Sequence, residues 1–354
     1  MFKENYNVIG VMSGTSLDGV DLAYISFRKR DNWSFQILNC ETIPYTNEWL
    51  GKLMGAINLS VENLATINEE YTTLLSTIIL EFIVKYKIEA IDAVCNHGHT
   101  ILHQPEKGYT LQIGNLRKIA SLLNLPVVCD FRVQDVNFGG QGAPLVPIGD
   151  RLLFSEYNYC LNLGGFSNIS FEQGNCRLAY DISPVNTVLN FYSNKLGFAY
   201  DDKGNISKTG NVNKDLFNEL NALVYYSQDY PKSLGMEFVN EIIFPIINSY
   251  AISVEDILRT FVEHIAYQIG LSLSHDAKNM LITGGGSYND FLLERIRYYL
   301  PNVDLIIPND NIIQFKEALI FGFLGVLKLR DEINVLASVT GAKFDHSSGM
   351  VYAS

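Results

Sequence analysis

The sequence predicts an α/β protein made of two similar halves. An apolar strand, a glycine-rich turn and a second strand follow one another over residues 7–27, and this arrangement returns over residues 159–181, about 150 residues later. Helical periodicity follows both groups of strands. The chain has 354 residues, and a domain usually takes about 100–200, so its length also favours two domains. We therefore expect a duplicated fold with one copy in each half.

The first strand–turn–strand unit contains the stretch GVMSGTSLDGVD at residues 10–21. It follows the apolar run 7–11 and leads into residues 20–27, which alternate polar and apolar side chains as a half-buried strand does. The stretch holds no lysine, so it is not the phosphate loop of the P-loop NTPases. It is predicted to close a hairpin, and the backbone N–H groups of such a turn can still form an anion-binding nest.

The second unit reads YCLNLGGFSNISFEQGNCRLAYD at residues 159–181. It predicts three strands, at 159–163, 167–171 and 177–180, with turns at Gly164-Gly165 and Gly174-Asn175. Two further short strands are predicted at 91–95 and 279–283, and the second of these ends in Gly284-Gly285-Gly286.

Amphipathic periodicity predicts helices along the rest of both halves. Ser253 is a candidate N-cap for one of them. The proline-rich stretch 143–147 marks a turn, and we place the domain boundary near residues 130–155. We assign residues 1–150 to an N-terminal lobe, 151–330 to a C-terminal lobe, and 331–354 to a segment that packs back on the first. The predicted helices cover 49–87 (as two helices), 185–196, 216–226, 237–248, 254–273, 289–299 and 316–329.

Composition excludes several classes of function. The net charge is −12 and there is no basic run of the kind that binds nucleic acid. No apolar stretch reaches the roughly 18 residues of a membrane span, and the N-terminus lacks the apolar region of a signal peptide. Five cysteines without a regular spacing indicate reduced thiols, with Cys129 and Cys160 in the core. These features together favour a cytoplasmic protein that binds neither membranes nor nucleic acid.

Three glycine loops follow predicted strands at corresponding positions. They are the turn around Gly14, the Gly164-Gly165 turn and the Gly284-Gly285-Gly286 loop. Two lobes that carry such loops on their inner edges can form a cleft for a nucleoside triphosphate. Ordinary hairpin turns are the alternative interpretation, because short glycine motifs are common.

Several motifs, in this order along the chain, resemble the 1,6-anhydro-N-acetylmuramic acid kinases. The resemblance implies two ribonuclease-H-like lobes around a nucleotide cleft, which is the fold of the actin-like ATPases. It also implies that ATP, Mg²⁺ and water serve to open a 1,6-anhydro-muramyl sugar and phosphorylate O6, giving N-acetylmuramic acid 6-phosphate in cell-wall recycling. A homodimer is a further expectation. The motifs are SGTSLDGVD (13–21), DFRVQDVNFGGQGAPLVP (130–147), NLGGFSN (162–168), ITGGGSYND (282–290) and SVTGA (338–342).

The resemblance implies a catalytic role for Asp181, at the end of the third strand of the second half. Its carboxylate would activate the water that attacks C1 while O6 takes the γ-phosphoryl group. An aspartate before Ser-Pro is otherwise a turn former or a helix N-cap. The predicted nucleotide-binding residues are Ser13, Gly14, Thr15, Ser16, Asp18, Gly19, Gly164, Gly165, Asn168, Gly284, Gly285 and Gly286.

The sugar is expected to contact residues from the middle and the end of the chain. An arginine suits a sugar that carries a carboxylate, because its planar fork binds carboxylates with two hydrogen bonds. The loop at 132–142 has a structural turn as its alternative, and Glu317 is otherwise a first-turn acid favoured by the helix dipole. Asp18 is a candidate metal ligand. The predicted substrate-binding residues are His97, His99, Arg132, Asp135, Gln141 and Glu317.

The chain departs from the family pattern at three places. They are residues 182–186, where two glycines are missing, His99, where glutamine is usual, and Asn115, where aspartate is usual. The departures leave the exact sugar open. A kinase of another anhydro-sugar or free sugar, and a non-enzymatic nucleotide-binding module of the same fold, are the alternative functions.

Overall fold

The computed structural model describes residues 2–14, 17–274 and 276–354. The chain divides into two compact units, Met1–Leu153 with Phe315–Ser354, and Phe154–Gln314. Residues 315–330, assigned from the sequence to the C-terminal lobe, therefore lie in the first unit together with residues 331–354. None of the helices in the described ranges has both the length and the apolar character of a membrane span.

Within the described residues, twelve strands form two sheets, and each sheet belongs to one unit. The strands are β1 (Asn5–Ser13), β2 (Val20–Lys29), β3 (Trp33–Ile43), β4 (Ala93–Gln104), β5 (Tyr109–Ile113), β6 (Val127–Cys129), β7 (Tyr159–Leu163), β8 (Phe166–Gln173), β9 (Cys176–Pro184), β10 (Asn279–Thr283), β11 (Asp304–Ile306) and β12 (Met350–Tyr352).

The two sheets share one topology. In the first unit the strand order is β12-β6-β4-β1-β2-β3, and β5 pairs with β4. Strands β1, β2 and β3 are antiparallel neighbours, whereas β4 and β6 run parallel to β1. In the second unit the order is β11-β10-β7-β8-β9, again with three antiparallel strands followed by two parallel ones. This is the ribonuclease-H-like order, and it confirms the predicted duplication and fold class.

Helices cover the sheets and connect their parallel strands. The Ser253 hydroxyl accepts a hydrogen bond from the Asp256 N–H, which confirms the predicted N-cap. The helices are α1 (Asn47–Gly55), α2 (Val61–Tyr86), α3 (Lys118–Leu123), α4 (Val133–Asn137), α5 (Pro147–Leu153), α6 (Asn186–Lys195), α7 (Lys214–Asn221), α8 (Met236–Phe238), α9 (Phe244–Asn248), α10 (Val254–Leu271), α11 (Asp290–Tyr299), α12 (Asp310–Leu329) and α13 (Ala337–Thr340).

Tertiary pairing lengthens several predicted elements. The strand predicted to end near Gly98 continues to Gln104, because its second half forms a hairpin with β5. Strand β9 runs on to Pro184, which a sheet tolerates at the end of an edge strand. Helix α12 begins at Asp310, six residues before the predicted start, and its backbone leaves helical geometry at Phe315, with φ −112° and ψ 15°.

Helix α12 packs unusually closely on the first sheet. A Cβ atom at Gly10 of β1 would lie 1.9 Å from the carbonyl oxygen of Ala318, and one at Gly325 would lie 2.1 Å from the Cys95 sulfur. Glycine at these two positions therefore allows the backbone of α12 to approach β1 and β4. Cys129 and Cys160 are buried in their sheets, as predicted.

We predict that Gly10→Ala destabilises the protein by roughly 2–3 kcal/mol, because the new methyl group meets backbone atoms that cannot rotate away. The matched control is Gly51→Ala in α1, where a Cβ atom meets nothing within 4 Å. Alanine favours a helix over glycine, so this control should be neutral or stabilising by up to about 1 kcal/mol. Urea denaturation measures both variants, and equal midpoints would contradict the proposed packing.

Candidate active site

Asp181 lies on β9, directly before a β-bulge. It is half-buried and faces Asn168 across the β8–β9 pair, while Ser167 pairs with Ser183 after the register shift. Bulges of this kind redirect a side chain and often occur beside active sites. Helix α6 begins only at Asn186, so Asp181 is not its N-cap, and its place inside a strand also excludes a turn-forming role.

The segment before α8 holds Asp181 by three hydrogen bonds. The Leu234 N–H donates to its carboxylate at 2.9 Å, the Tyr225 hydroxyl donates to its carbonyl oxygen, and its own N–H donates to the Lys232 carbonyl at 3.2 Å. Burial raises the pKa of Asp181, and the hydrogen bond from Leu234 opposes that rise. The carboxylate is thus oriented and more basic than an ordinary aspartate.

The sequence offered no signal for this holding segment. Lys232 packs over the rings of Tyr180 and Tyr225, and its ammonium donates to the carbonyls of Tyr225 and Gln228. These contacts tie the segment to the strand that carries Asp181. Sequence patterns reveal strands and glycine turns, whereas this segment contains neither and holds Asp181 through two main-chain groups and one tyrosine hydroxyl.

The two glycine loops of the second unit lie against each other. A Cβ atom at Gly284, where φ is +82°, would lie 2.8 Å from the carbonyl carbon of Leu163, and one at Gly286 would lie 2.7 Å from the Leu163 Cβ. The carbonyls of Gly164 and Gly165 accept hydrogen bonds from the N–H groups at the start of α6. Close backbone packing therefore accounts for Gly284 and Gly286, while Gly165 is exposed.

A cavity of about 860 Å³ opens beside the Gly285-Gly286 loop in the second unit. This volume lies within the usual range for small-molecule sites. Its wall combines amides, carboxylates and two basic side chains with apolar groups, which suits a polar ligand. Apart from the two glycines, the sequence did not point to its lining residues, among them Asn186, Asn190, Tyr200, Lys203, Tyr288, Arg297, Asp310 and Ile313.

In the first unit the predicted hairpin is confirmed, because β1 and β2 pair along their length. Ser13 is the last residue of β1, and Gly14, which follows it, is half-buried. Asp18, farther along the same turn, is exposed. At Gly19 a Cβ atom would lie 2.3 Å from the Ile43 carbonyl oxygen, so packing against the end of β3 requires glycine there. Thr15 and Ser16 lie outside the described residues.

Ser13 and His99 belong to a buried polar network. The Ser13 Oγ lies 2.8 Å from His99 Nδ1 and 2.6 Å from the Tyr45 hydroxyl, which contacts the hydroxyl of Tyr71. Burial lowers the pKa of His99 to about 4, so its ring is neutral at ordinary pH. The network fixes the end of β1 and with it the start of the glycine-rich turn.

His97 orients Arg132. The Nε–H of Arg132 donates to His97 Nε2 at 2.8 Å, and His97 Nδ1 donates to the Gly98 carbonyl, so the imidazole is neutral. Burial and the charge of Arg132 hold the pKa of His97 well below its usual value. The Arg132 Nη1 also donates to the Gly142 carbonyl at 2.6 Å, so the plane of the guanidinium is fixed.

Asp135 departs from its predicted role of contacting the sugar. Its side chain has no exposed surface, one carboxylate oxygen accepts from the Gly142 N–H at 2.7 Å, and the other accepts from the Thr340 hydroxyl at 2.7 Å. It therefore braces the loop between α4 and α5 against the C-terminal segment. Gln141 is exposed in that loop, and its N–H donates to the Thr340 carbonyl.

Two departures from the family pattern have structural roles. Asn115 donates from its amide to the His97 carbonyl at 3.1 Å and accepts from Asn96 at 3.0 Å, so it supports the strand that carries His97. Val185 is fully buried in the core of the second unit, away from solvent.

Three carboxylates and two cations of the first unit act on one another. Burial raises the pKa of Asp21, the hydrogen bond from Thr42 opposes that rise, and the negative charge of Asp18 adds to it. Glu317 keeps accessible surface, but the protein atoms packed around it desolvate its carboxylate and raise its pKa; Arg132 and Lys316 oppose this rise and Asp21 adds to it. Burial lowers the pKa of Arg132 to about 10, so it is cationic at neutral pH. In the described ranges no group of three or more His, Cys, Asp or Glu side chains could hold a metal ion by itself.

Two ribonuclease-H-like units in one chain define the class of the actin-like ATPases and sugar kinases. Within that class, the family model described as anhydro-N-acetylmuramic acid kinase matches residues 6–354. The chain belongs to the anhydro-N-acetylmuramic acid kinase family. Relatives of that name are 34% identical in Pasteurella multocida, covering 97% of this chain and 96% of the relative, and 32% identical in Aliivibrio fischeri, covering 97% and 98%.

Solved structures show only a distant likeness. A ROK family glucokinase from Streptomyces griseus, in complex with glucose and AMPPNP, is 14% identical with a TM-score of 0.39, covering 91% of this chain and 98% of that one. An activator of 2-hydroxyisocaproyl-CoA dehydratase from Clostridium difficile, with bound ADPNP, is 14% identical with a TM-score of 0.40, covering 92% and 97%. Likenesses at this level do not transfer a ligand or an activity.

We predict that Gly285→Leu weakens nucleotide binding at least roughly tenfold and leaves the melting temperature nearly unchanged. A Cβ atom at Gly285 meets only the Asn186 amide, at 3.7 Å, so a leucine extends into the cavity. Gly55→Leu is the control, because a Cβ atom there meets nothing within 4 Å. Calorimetric titration with a non-hydrolysable ATP analogue measures both variants. Unchanged affinity in Gly285→Leu would exclude the cavity as the nucleotide site.

Proposed function

We propose that this protein transfers the γ-phosphoryl group of ATP to O6 of 1,6-anhydro-N-acetylmuramic acid while water opens the anhydro ring. The products are N-acetylmuramic acid 6-phosphate and ADP, as expected for cell-wall recycling. Membership of the family over nearly the whole chain supports the reaction class. The observation that carries the chemistry is the oriented, half-buried carboxylate of Asp181.

Asp181 acts as the general base in this proposal. It takes a proton from water as the water oxygen bonds to C1, the C1–O6 bond breaks, and O6 bonds to the γ-phosphorus as ADP leaves. The hydrogen bond from the Leu234 N–H keeps one carboxylate oxygen in place. The carboxylate that takes the proton therefore has a fixed orientation. Burial makes that carboxylate a stronger base, which helps a base that works near neutral pH.

The sugar is bound by the first unit in this proposal. Arg132, fixed by His97 and by the Gly142 carbonyl, pairs with the carboxylate of the muramyl lactyl group. Glu317 is exposed and accepts hydrogen bonds from sugar hydroxyl groups in its ionised form. His97 acts through Arg132 and not through direct contact, because both of its ring nitrogens are engaged.

In this proposal ATP binds in the cavity beside Gly285 and Gly286 of the second unit, whose volume and polar lining support a nucleotide. Mg²⁺ usually binds through one or two carboxylates together with phosphates and water. The exposed carboxylate of Asp18 could therefore serve as the protein ligand of a metal ion that the nucleotide holds for the most part. When bound, the metal neutralises negative charge on the transferred phosphoryl group. Asp18 would hold it from the glycine-rich turn that follows β1.

The expected partners follow from this chemistry. The substrate is a small anhydro-sugar, and a net charge of −12 disfavours binding to nucleic acid. We place the reaction in the cytoplasm because it consumes ATP. A homodimer stays an expectation drawn from the family.

The reaction is tested with ¹⁸O-labelled water. Purified protein with ATP, Mg²⁺ and 1,6-anhydro-N-acetylmuramic acid should give the 6-phosphate with label at the anomeric position, because water attacks C1. Mass spectrometry of the product locates the label. Label in inorganic phosphate alone would mean ATP hydrolysis without sugar chemistry and would overturn the proposal. Turnover of a different anhydro-sugar at a higher kcat/KM would correct the substrate.

Asp181→Asn should lower kcat by about 10²- to 10⁴-fold while ATP affinity is unchanged, because the amide keeps the hydrogen bond from Leu234 and cannot take a proton. In the wild type, kcat should fall as the pH drops through a pKa above that of an ordinary aspartate, since the base acts in its charged form. The exposed Asp215→Asn in α7 is the control. A non-enzymatic nucleotide-binding module would instead tolerate Asp181→Asn in all its responses.

A further inference from the structure

A buried ion pair connects α5 and α12 in the first unit. The Lys316 Nζ lies 2.8 Å from Asp150 Oδ1, and the two side chains are only 8% and 5% exposed. The helices approach closely here, since a Cβ atom at Gly149 would lie 2.1 Å from the Ile320 Cδ1. A buried ion pair often stabilises a fold no more than apolar residues of the same volume would, because both charges lose their hydration. Net stability is therefore a weak explanation for this pair.

The place of Lys316 in the chain suggests another role. It follows the interruption of α12 at Phe315 and directly precedes Glu317. Successive residues of a helix point about 100° apart. Lys316 therefore anchors the buried face of the helix through its ion pair, while Glu317 lies on an exposed face. Any rotation of this first regular turn would move Glu317 and break the buried pair at the same time.

The charges around Glu317 come from four elements. Arg132 precedes α4 and Lys316 lies in α12, and both are cations, whereas Asp21 of β2 is an anion. Asp150 of α5 pairs with Lys316. The two cations lower the pKa of Glu317 and so oppose part of the rise that desolvation and Asp21 cause.

We propose that the Lys316–Asp150 pair is a positioning element for sugar binding, which anchors Glu317 and supplies part of the positive charge beside it. This inference rests on the proposed function, because Glu317 is taken there as a sugar ligand. Lys316 and Asp150 themselves are buried and do not contact the sugar.

The two parts of this role have separate signatures. Loss of the anchor weakens sugar binding at every pH. Loss of the positive charge raises the pKa of Glu317. Glu317 is then protonated at a higher pH, and sugar binding weakens from that pH downward. A pair that only stabilised the fold would change neither the pH dependence nor the affinity of the folded protein.

The test compares Lys316→Met/Asp150→Asn, which removes both charges of the pair, with Lys316→Arg, which keeps the cation. Calorimetric titration with 1,6-anhydro-N-acetylmuramic acid, without ATP, is run from acidic to neutral pH. In the double variant the ratio of the affinity at acidic pH to that at neutral pH should fall roughly three- to tenfold below the wild-type ratio, since one pKa unit changes an ionised fraction up to tenfold. Lys316→Arg should keep the wild-type ratio.

Arg330→Gln is the matched control, because Arg330 directly follows α12 and pairs with Glu332 away from Glu317. It should lower the melting temperature without changing the pH dependence of binding. If the double variant does not fold, Lys316→Gln, whose amide can still donate to Asp150, is measured in the same way. A wild-type pH dependence in the folded variant, or failure of both variants to fold, would overturn the proposal. Absence of sugar binding in the wild type would instead overturn the proposed function.

Discussion

The close approach of α12 to the first sheet is the constraint on which the substrate side of the site depends. It is possible because residue 10 has no side chain and because glycine also faces Cys95 farther along the helix. With α12 seated on β1, its first regular turn carries Glu317 into the electrostatic range of Arg132. Arg132 is in turn held by His97 of β4, the parallel neighbour of β1. The backbone contact thus sets the position of Glu317, while the pairing of β4 with β1 and the hydrogen bond from Arg132 to His97 set that of Arg132.

The same physical balance governs the two acids to which we assign chemical roles. Burial raises the pKa of Asp181 and of Glu317, and in both cases groups placed by the fold oppose the rise. For Asp181 the opposing group is a main-chain N–H, which orients the carboxylate without pairing it with a cation. For Glu317 the opposing groups are cations, which favour its ionised form. A base and a hydrogen-bond acceptor need these different surroundings.

Glycines and polar residues that looked alike in the sequence proved to have different roles. Gly19, Gly284 and Gly286 fill places where a side chain would collide with the backbone or side chain of a neighbouring strand, whereas Gly285 borders the cavity. Asp135 resembles a ligand in sequence but is a brace with no exposed surface. These distinctions depend on which distant segment lies opposite each residue, and a local pattern contains no information about that.

The sequence by itself determined the strand–turn–strand units and their duplication, because strand alternation and glycine turns are local properties of the chain. The resemblance of its motifs to a known family indicated the catalytic class. The sequence also placed Asp181 on the third strand of the second half, but the structure shows the residue inside that strand, which continues to Pro184. Only the tertiary structure decided that β4 continues through Gly98, that the Leu234 N–H orients Asp181, and that Lys316 pairs with Asp150. Each of these joins residues far apart in sequence or depends on strand pairing, and burial and hydrogen bonding arise only when such residues meet.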